Sequence, residues 1–426
     1  TRPAKDKDLD ASQLRDGWRL KLKDLKPEQA KRLAPTMLEV EYMAFKNRSV
    51  FTERDIDRTV AQLAICHGGS TARTGIRSAI FEQLGVIPVA DQAGLKRYTT
   101  EDFRRMEGDI ASYGIACQKP AARFALADHT IQQAIRNVQA RKGFALYPEQ
   151  LAAVLHCVGG QQVAIVDGAA GTGKSISLEG IKEGYTLSGH RVLGVAPSGV
   201  ATGALKDSAN IEEASTLHSL LMKLEHKDPQ YRETLTDTDV IIVDEAGMVD
   251  LRTLHKLFKH TSDAGAKLIL AGDAKQLEAV GSASNLQMLI DQIGSAELVK
   301  IARQPDPTIN DISQTWFAGP TGTDPRDALE KMEDLGLIKR PDQPGQEAID
   351  VMMSHVQATH EEGVSWKDMV LLADRNKQVR SLNERVRDYR KGIGELDESQ
   401  ELTIRIAKRR QGPREIDLAP GDRVML

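Results

Sequence analysis

Aromatic residues are scarce in this sequence, at 4%, and there are only three cysteines in 426 residues. Cys66, Cys117 and Cys157 lie far apart and match no zinc-ligand spacing. Their odd number argues against a disulfide framework, and a reducing cytoplasm is the simplest inference. No apolar run approaches a membrane span, and the opening TRPAKDKDLDASQ lacks the apolar core of a signal peptide. Charge is not one-sided either. With a formal net charge of −4, no global basic field advertises a nucleic-acid partner, so any such contact must come from a local groove. Internal repeats and low-complexity tracts are also missing.

What remains is 40% hydrophobic and 28% charged, the composition of an ordinary soluble α/β protein long enough for two or three domains. Residues 1–142 read as a helical module. In FTERDIDRTVAQLAICH, Thr52 is the expected N-cap with Asp55 three residues on, a variant of the capping box. IRSAIFEQLGVIPVA passes from helix to strand, and KRYTTEDFRRMEGDIASYGIA from strand to helix. Helices followed by a two-stranded wing suggest a winged-helix-like domain, with a plain helical packing domain as the alternative. From 143 to 305, the short runs VAIV, RVLGVA, DVIIVDEA and AKLILAGD alternate with helical stretches. Buried parallel strands read this way, which predicts a doubly wound α/β domain. Residues 306–426 give a further α/β signal around DMVLLADRNKQVRSLNERVRDYR.

The chemistry centres on VDGAAGTGKSIS. Gly168, Gly171, Gly173, Lys174 and Ser175 occupy every fixed position of G-x-x-x-x-G-K-[ST], after a strand and before a helix. Glycines there let backbone N–H groups wrap phosphate oxygens at a helix N-terminus, with Thr172 inside the loop. Lys174 would reach the β- and γ-phosphates of ATP, and Ser175 would ligate Mg²⁺. DVIIVDEAG adds a buried strand ending in two acids. Asp244 is expected on the Mg²⁺ and Glu245 on the attacking water. In LAGDAKQLEAVGS, Gln276 sits where a γ-phosphate sensor would be, and Arg303 in KIARQPD is a candidate arginine finger in cis. Taken alone, a loop glutamine is normally solvated and an arginine is usually a surface ion pair.

In order, YPEQLAAV, GAAGTGKS, APSGVATGALKD, STLHSL, VIIVDEAGM, GDAKQLEAVGS and ARQ resemble the motif series of superfamily-1 DNA helicases of the RecD-like, 5′-to-3′ group. Within that group the chain is most similar to the helicase portion of conjugative relaxase–helicases. The resemblance implies a RecA-like P-loop motor domain over 143–305, with a small inserted lobe near 221–238. It also implies an incomplete second RecA-like domain over 306–426, and it supports the N-terminal module. The resemblance further implies that Gln150 reads the adenine edge and that Ser198, Thr202, Thr216 and His218 touch single-stranded DNA. Hydroxyls, an imidazole and loop N–H groups bind phosphate and sugar without reading sequence. By itself, His218 would more commonly be a structural histidine. The basic run AKRRQGPR is more readily a solvated face than a DNA path.

Departures from the family pattern also count. The sequence stops at APGDRVML, which resembles the entry to a small barrel inserted in the second motor domain, and no later helicase motif follows. No histidine triad with a nearby tyrosine marks a DNA-nicking domain. The expectation is therefore a portion of a longer bacterial, cytoplasmic protein. It would act as an ATP- and Mg²⁺-dependent motor on single-stranded DNA, with other conjugation proteins as further candidate partners. The competing readings are a DNA-binding remnant with a dead ATPase and a P-loop kinase for small molecules. Intact Lys174, Asp244, Glu245, Gln276 and Arg303 speak against the first, and APSGVATG and STLHS against the second.

Overall fold

A computed structural model describes residues 49–66, 73–92, 95–169, 171–274, 285–301, 306–317, 325–338, 347–408, 412–420 and 422. The chain divides into two compact units, the first ending at Phe317 and the second beginning at Ala318.

The described part of the first unit opens with β1 (Phe51–Thr52), α1 (Glu53–Cys66), α2 (Arg73–Gln83), β2 (Val86–Gln92) and β3 (Leu95–Thr100). The strands pair antiparallel in the order β1-β3-β2, which gives the helix pair and wing expected from the sequence. Thr52 N–H donates to Asp55 Oδ2 at 3.0 Å and Asp55 N–H to Thr52 Oγ1 at 3.3 Å, so the expected reciprocal cap forms. Phe51, Ile56, Val60, Leu63, Ile80 and Val86 make this module's own core.

The following helices, α3 (Glu101–Ala116) and α4 (Asp128–Lys142), fell within the N-terminal module on sequence grounds, yet they cover the next sheet. Phe103, Met106 and Ile110 of α3 join the core on one face of that sheet, and Ile131 and Val138 of α4 join the core on the other. A hydrogen bond between His255 Nε2 and Asp109 Oδ2 at 2.9 Å and an ion pair from Arg252 to Asp102 at 2.8 Å reinforce the first contact.

That sheet and its helices run α5 (Pro148–Cys157), β4 (Val163–Gly168), α6 (Lys174–Leu187), β5 (Arg191–Ala196), α7 (Gly199–Ala209), β6 (Ala214–Thr216), α8 (Leu217–Leu224), β7 (Asp239–Val243), α9 (Leu251–Ala264), β8 (Lys267–Gly272), α10 (Asn285–Ile293), β9 (Ala296–Leu298) and α11 (Pro307–Phe317). All six strands are parallel, in the order β6-β5-β7-β8-β4-β9. Alternate residues serve opposite cores: Val163 and Ile165 face α3, α8, α9 and α10, while Ala164 and Val166 face α4, α5, α6 and α7. A sheet covered on both faces is the doubly wound α/β architecture that the apolar runs predicted. Between α8 and β7 the chain makes only a short 3₁₀ turn, Pro229–Tyr231, within loop.

The amino-terminal edge of the sheet is tightly tied. Tyr185 Oη lies 3.0 Å from both the Phe124 and Cys157 carbonyl oxygens, and Arg123 donates to the carbonyls of Asp237 and Gly265. Lys267, fully buried at the start of β8, donates to the carbonyls of Gly159 and Gln161 beneath the rings of Phe124 and Tyr185.

In the second unit, α12 (Pro325–Asp334), α13 (Ala348–Glu361) and α14 (Asn376–Gly392) precede an antiparallel hairpin of β10 (Leu402–Lys408) and β11 (Gly412–Leu418). MVLLA (369–373), the apolar part of the second α/β signal, forms no strand, and Val370 and Leu372 are 77% and 79% exposed. An apolar run becomes a buried strand only beside a ladder partner, and among the described residues of this unit β10 and β11 pair only with each other. Part of AKRRQGPR, and the last four residues of APGDRVML, lie outside the described residues.

The buried Lys267 generates a pH-dependent prediction. Burial pushes its ammonium down from 10.5 to about 8. Between those values the unfolded chain holds a proton that the folded chain releases, so this group's contribution to stability rises with pH. Denaturation of the parent and of Lys267→Met should show the parent gaining on the variant between pH 8 and 10.5. The gain should approach about 3 kcal/mol, at about 1.4 kcal/mol per pH unit. A constant difference across that window would contradict this account of the buried ammonium.

Candidate nucleotide and nucleic-acid site

Parallel strands place all their carboxyl ends along one edge, and the phosphate loop, the two acids and the expected DNA-contact residues lie at or just beyond those ends. At the end of β4 the chain turns through Gly171 and Gly173, both in the left-handed region with φ of 85° and 86°, and enters α6 at Lys174. Gly168 is needed for a different reason: a Cβ there would sit 2.8 Å from Leu298 Cβ on neighbouring β9 and 2.9 Å from Thr172 Oγ1. Thr172 is itself buried and donates to the Ala169 carbonyl at 2.8 Å. Lys174 Nζ reaches back over the loop to the Gly168 carbonyl at 2.5 Å, so the ammonium already lies across the concave side of the turn. Ser175 follows in the first turn of α6.

β8 lies between β4 and β7, so the two acids approach from one strand further off. Asp244 N–H donates to the Val195 carbonyl at 2.9 Å, and Asp244 Oδ1 accepts from Glu245 N–H at 2.9 Å. Burial raises the Asp244 carboxyl, an effect that the Glu245 N–H and the nearby Lys174 ammonium oppose and the Glu245 carboxylate adds to. Glu245 adopts φ 53°, ψ 41°, one of two left-handed non-glycine residues among those described. Such a backbone costs about 1–2 kcal/mol and turns the chain sharply just past the strand.

A further acid is present that the motifs did not single out. Asp167, one residue before Gly168, accepts from Ala274 N–H at 3.0 Å and so pins the exit of β8 to the phosphate-loop strand. Burial raises its carboxyl too, with the Ala274 N–H opposing, Asp273 and Glu297 adding, and Lys174 opposing. Its sequence signal was only an acid immediately before the loop. Asp167 and Asp244 thus lie within electrostatic reach of Lys174, with Glu245 beside Asp244.

The four residues expected at single-stranded DNA divide into two kinds. β5 and β6 are neighbours with Ala196 opposite Thr216, so Ser198 and His218 each lie two residues beyond that pair. Ser198 and Thr216 are the N-caps of α7 and α8, accepting from Ala201 N–H at 3.1 Å and Ser219 N–H at 3.2 Å. Ser198 and His218 are exposed. Thr202, by contrast, is buried and donates its hydroxyl hydrogen to the Ser198 carbonyl at 2.8 Å. Gln150 is buried as well, with its amide engaged by the chain at both ends. Gln276 and Arg303 lie outside the described residues.

Residues 145–343 match the family model described as an AAA domain. The probable conjugal transfer protein TraA of Sinorhizobium fredii is 26% identical over 415 residues, covering 96% of this chain and 35% of that protein. TraA of Agrobacterium fabrum is 29% identical, covering 65% of this chain and 25% of that protein. The ATP-dependent RecD2 DNA helicase of Deinococcus radiodurans is 29% identical over 172 residues, covering 39% of this chain and 22% of that protein. The chain is thus similar to conjugal transfer TraA proteins and, over part of its length, to RecD-type DNA helicases. It spans about a third or less of the length of these relatives. Among solved structures, the Pif1 helicase from Candida albicans matches with a TM-score of 0.35 at 20% identity, covering 56% of this chain and 61% of that one. No helix among the described residues is long and apolar enough to cross a membrane.

The loop geometry makes Gly173 a sharp test. Alanine there would add the left-handed penalty of about 1–2 kcal/mol and place a Cβ 2.2 Å from Gln150 Nε2. Gly173→Ala should lose binding of a fluorescent adenosine diphosphate while its far-ultraviolet circular dichroism stays parental. Parental affinity would mean that the loop does not form the site.

Proposed function

We propose that this chain is an ATP-dependent translocase on single-stranded DNA, with helicase activity, and that it serves conjugative DNA transfer in a bacterial cytoplasm. The observation that carries the reading is the meeting, on one edge of a parallel sheet, of the phosphate loop, the Asp244–Glu245 pair and the capped exits of β5 and β6. Ligands of open α/β sheets bind outside the carboxyl ends of the strands.

The donor set fits a nucleoside triphosphate with a divalent cation. Two left-handed glycines turn the loop, an ammonium lies across it, and the Asp167 and Asp244 carboxyls, whose charged form burial disfavours, would be stabilised by a cation beside them. Bound ATP with Mg²⁺ would supply a transferable phosphoryl group and the free energy for stepping. In this reading Gly168, Gly171, Thr172 and Gly173 shape the cradle, and Lys174 meets the β- and γ-phosphate charge. Ser175 and Asp244 hold the cation, and Glu245 orients the attacking water and takes up its proton. Gln276 is proposed as the sensor of the γ-phosphate and Arg303 as the finger in cis. Ser198, Thr216 and His218 line the strand path, with Thr202 bracing the turn at Ser198 from behind. Direction, carried over with the RecD-like resemblance, is 5′ to 3′.

Hydrolysis measured with and without single-stranded DNA, on the chain as given, tests the reading. Lys174→Ala should abolish turnover and leave folding intact. Glu245→Gln should keep nucleotide binding and lower turnover by roughly 10²–10⁴-fold, the contribution of a positioned base. Asp244→Asn should shift the Mg²⁺ dependence instead. Parental hydrolysis by Lys174→Ala would end the motor assignment, and equal mild effects of the two acid variants would mean the acids are misplaced.

A further inference from the structure

β9 stands at the end of the strand order, and its pairing with β4 stops at Leu298, opposite Gly168, where β4 turns into the phosphate loop. The next two backbone N–H groups go to a side chain near the start of α5. Val299 and Lys300 N–H both donate to Glu149 Oε2, at 2.8 and 3.0 Å. Two further contacts hold the same stretch. Lys300 Nζ sits 3.9 Å from the centroid of the Tyr147 ring, and Asn310 Nδ2 of α11 donates to the Ile301 carbonyl at 3.1 Å. Residues 299–301 are thus held one after another, chiefly by the first turn of α5. That turn is also fastened to the phosphate loop, because Gln150, the neighbour of Glu149, donates from Nε2 to the Thr172 carbonyl at 3.3 Å. An acid in the first turn of a helix ordinarily serves the partial positive charge of the helix end. Glu149 additionally ties the edge strand of the sheet to the turn that Gln150 ties to the loop.

We propose that Glu149 is a positioning residue of the nucleotide site, holding the exit of β9 so that the segment bearing Arg303 leaves the sheet at a set distance from the phosphate loop. Arg303 follows Lys300 by three residues in the sequence. The proposal rests on the motor reading above, in which Lys174 and Arg303 act on one phosphate from two pieces of chain. One turn of α5 joins those pieces, at Thr172 through Gln150 and at Val299 and Lys300 through Glu149. A cation stabilises a transition state only where charge develops in it, and a misplacement of about 1 Å can cost roughly 10²-fold. The effect of Glu149 therefore falls on the arrangement around the γ-phosphate and not on affinity for a nucleotide that lacks one. A single oxygen accepts both N–H groups, so the amide oxygen of glutamine can take its place.

The test needs no turnover. A fluorescent adenosine diphosphate is bound to the full chain with Mg²⁺, alone and with aluminium fluoride, which mimics the transferring γ-phosphoryl group. Aluminium fluoride should tighten binding to the parent. Glu149→Ala should bind the probe alone as the parent does, but lose roughly 10²-fold of that tightening, the scale of a misplaced group. Glu149→Gln should recover it. Glu149→Asp keeps the charge at the helix end but is one methylene short, so it should behave like alanine, and it decides the matter if the alanine variant does not fold. Arg303→Ala should lose the tightening too, and adding Glu149→Ala to it should cost nothing more. Amide hydrogen exchange over residues 296–301 reads the clamp itself, and should be faster in Glu149→Ala and parental in Glu149→Gln. Parental tightening or parental exchange in Glu149→Ala would overturn the proposal, as would a loss that adds to that of Arg303→Ala, and each would leave the motor reading standing. Absence of tightening in the parent would also overturn it, leaving a nucleotide site without a finger. Failure of the probe to bind the parent would sink both.

Discussion

Parallel pairing is the constraint from which the site follows. Because six strands run the same way, the ladder delivers every carboxyl end to one edge, and register then sets which loops meet. Asp167 stands opposite Gly272, Val195 opposite Val243, and Ala196 opposite Thr216. Those pairs put the phosphate loop beside the exit of β8, the acid pair beside the exit of β5, and the cap of α8 beside that of α7. Slipping a parallel strand by one residue would also turn its core-facing side chains to the wrong layer. The same packing that buries Val163 and Ile165 on one face, and Ala164 and Val166 on the other, therefore holds the loops in place.

The two edges of the sheet are built differently. At the amino-terminal edge, Tyr185, Arg123 and Lys267 tie loops to buried carbonyls, and a lysine is held beneath aromatic rings. At the carboxyl edge the chain instead accepts unfavourable local states: a left-handed Glu245 and two carboxyls raised by burial. Strain of this kind persists only where the surroundings over-determine it, and it clusters where a ligand is handled. The tied amino-terminal edge supplies rigidity to the sheet whose other edge holds Asp167 and Asp244 within electrostatic reach of Lys174.

The motor strands were legible because strands buried on both faces are nearly continuous apolar runs, and VAIV, RVLGVA, DVIIV and KLILAG all became strands. The phosphate loop was legible because its glycines answer to backbone geometry, which a sequence pattern records directly. Other features depend on tertiary partners that leave no local mark. EDFRRMEGDIASYGIA looks alike whether it packs on a wing or on a sheet, and here Phe103, Met106 and Ile110 choose the sheet. MVLLA has the composition of a buried strand and none of the neighbours. Asp167 was overlooked because its role comes from the N–H of Ala274, more than a hundred residues away. Lys267 was hidden inside an apolar run, where its burial comes from Phe124 and Tyr185.

Hydrogen-bond accounting also separates hydroxyls that the sequence treats alike. A serine or threonine oxygen has one hydrogen to give and two lone pairs with which to accept. Ser198 and Thr216 spend a lone pair on their helices by accepting from Ala201 and Ser219 N–H groups, and acting as a cap leaves the hydroxyl hydrogen uncommitted to the helix. Phosphate oxygens only accept, so a cap of this kind can serve helix and phosphate together, beside the partial positive charge of the helix N-terminus. Thr202 is the reverse case. Its hydrogen already goes to the Ser198 carbonyl, and what remains is a buried acceptor with nothing to offer an anion. Three hydroxyls of one motif type thus differ in what they have left to offer, according to which end of the hydroxyl the backbone has claimed.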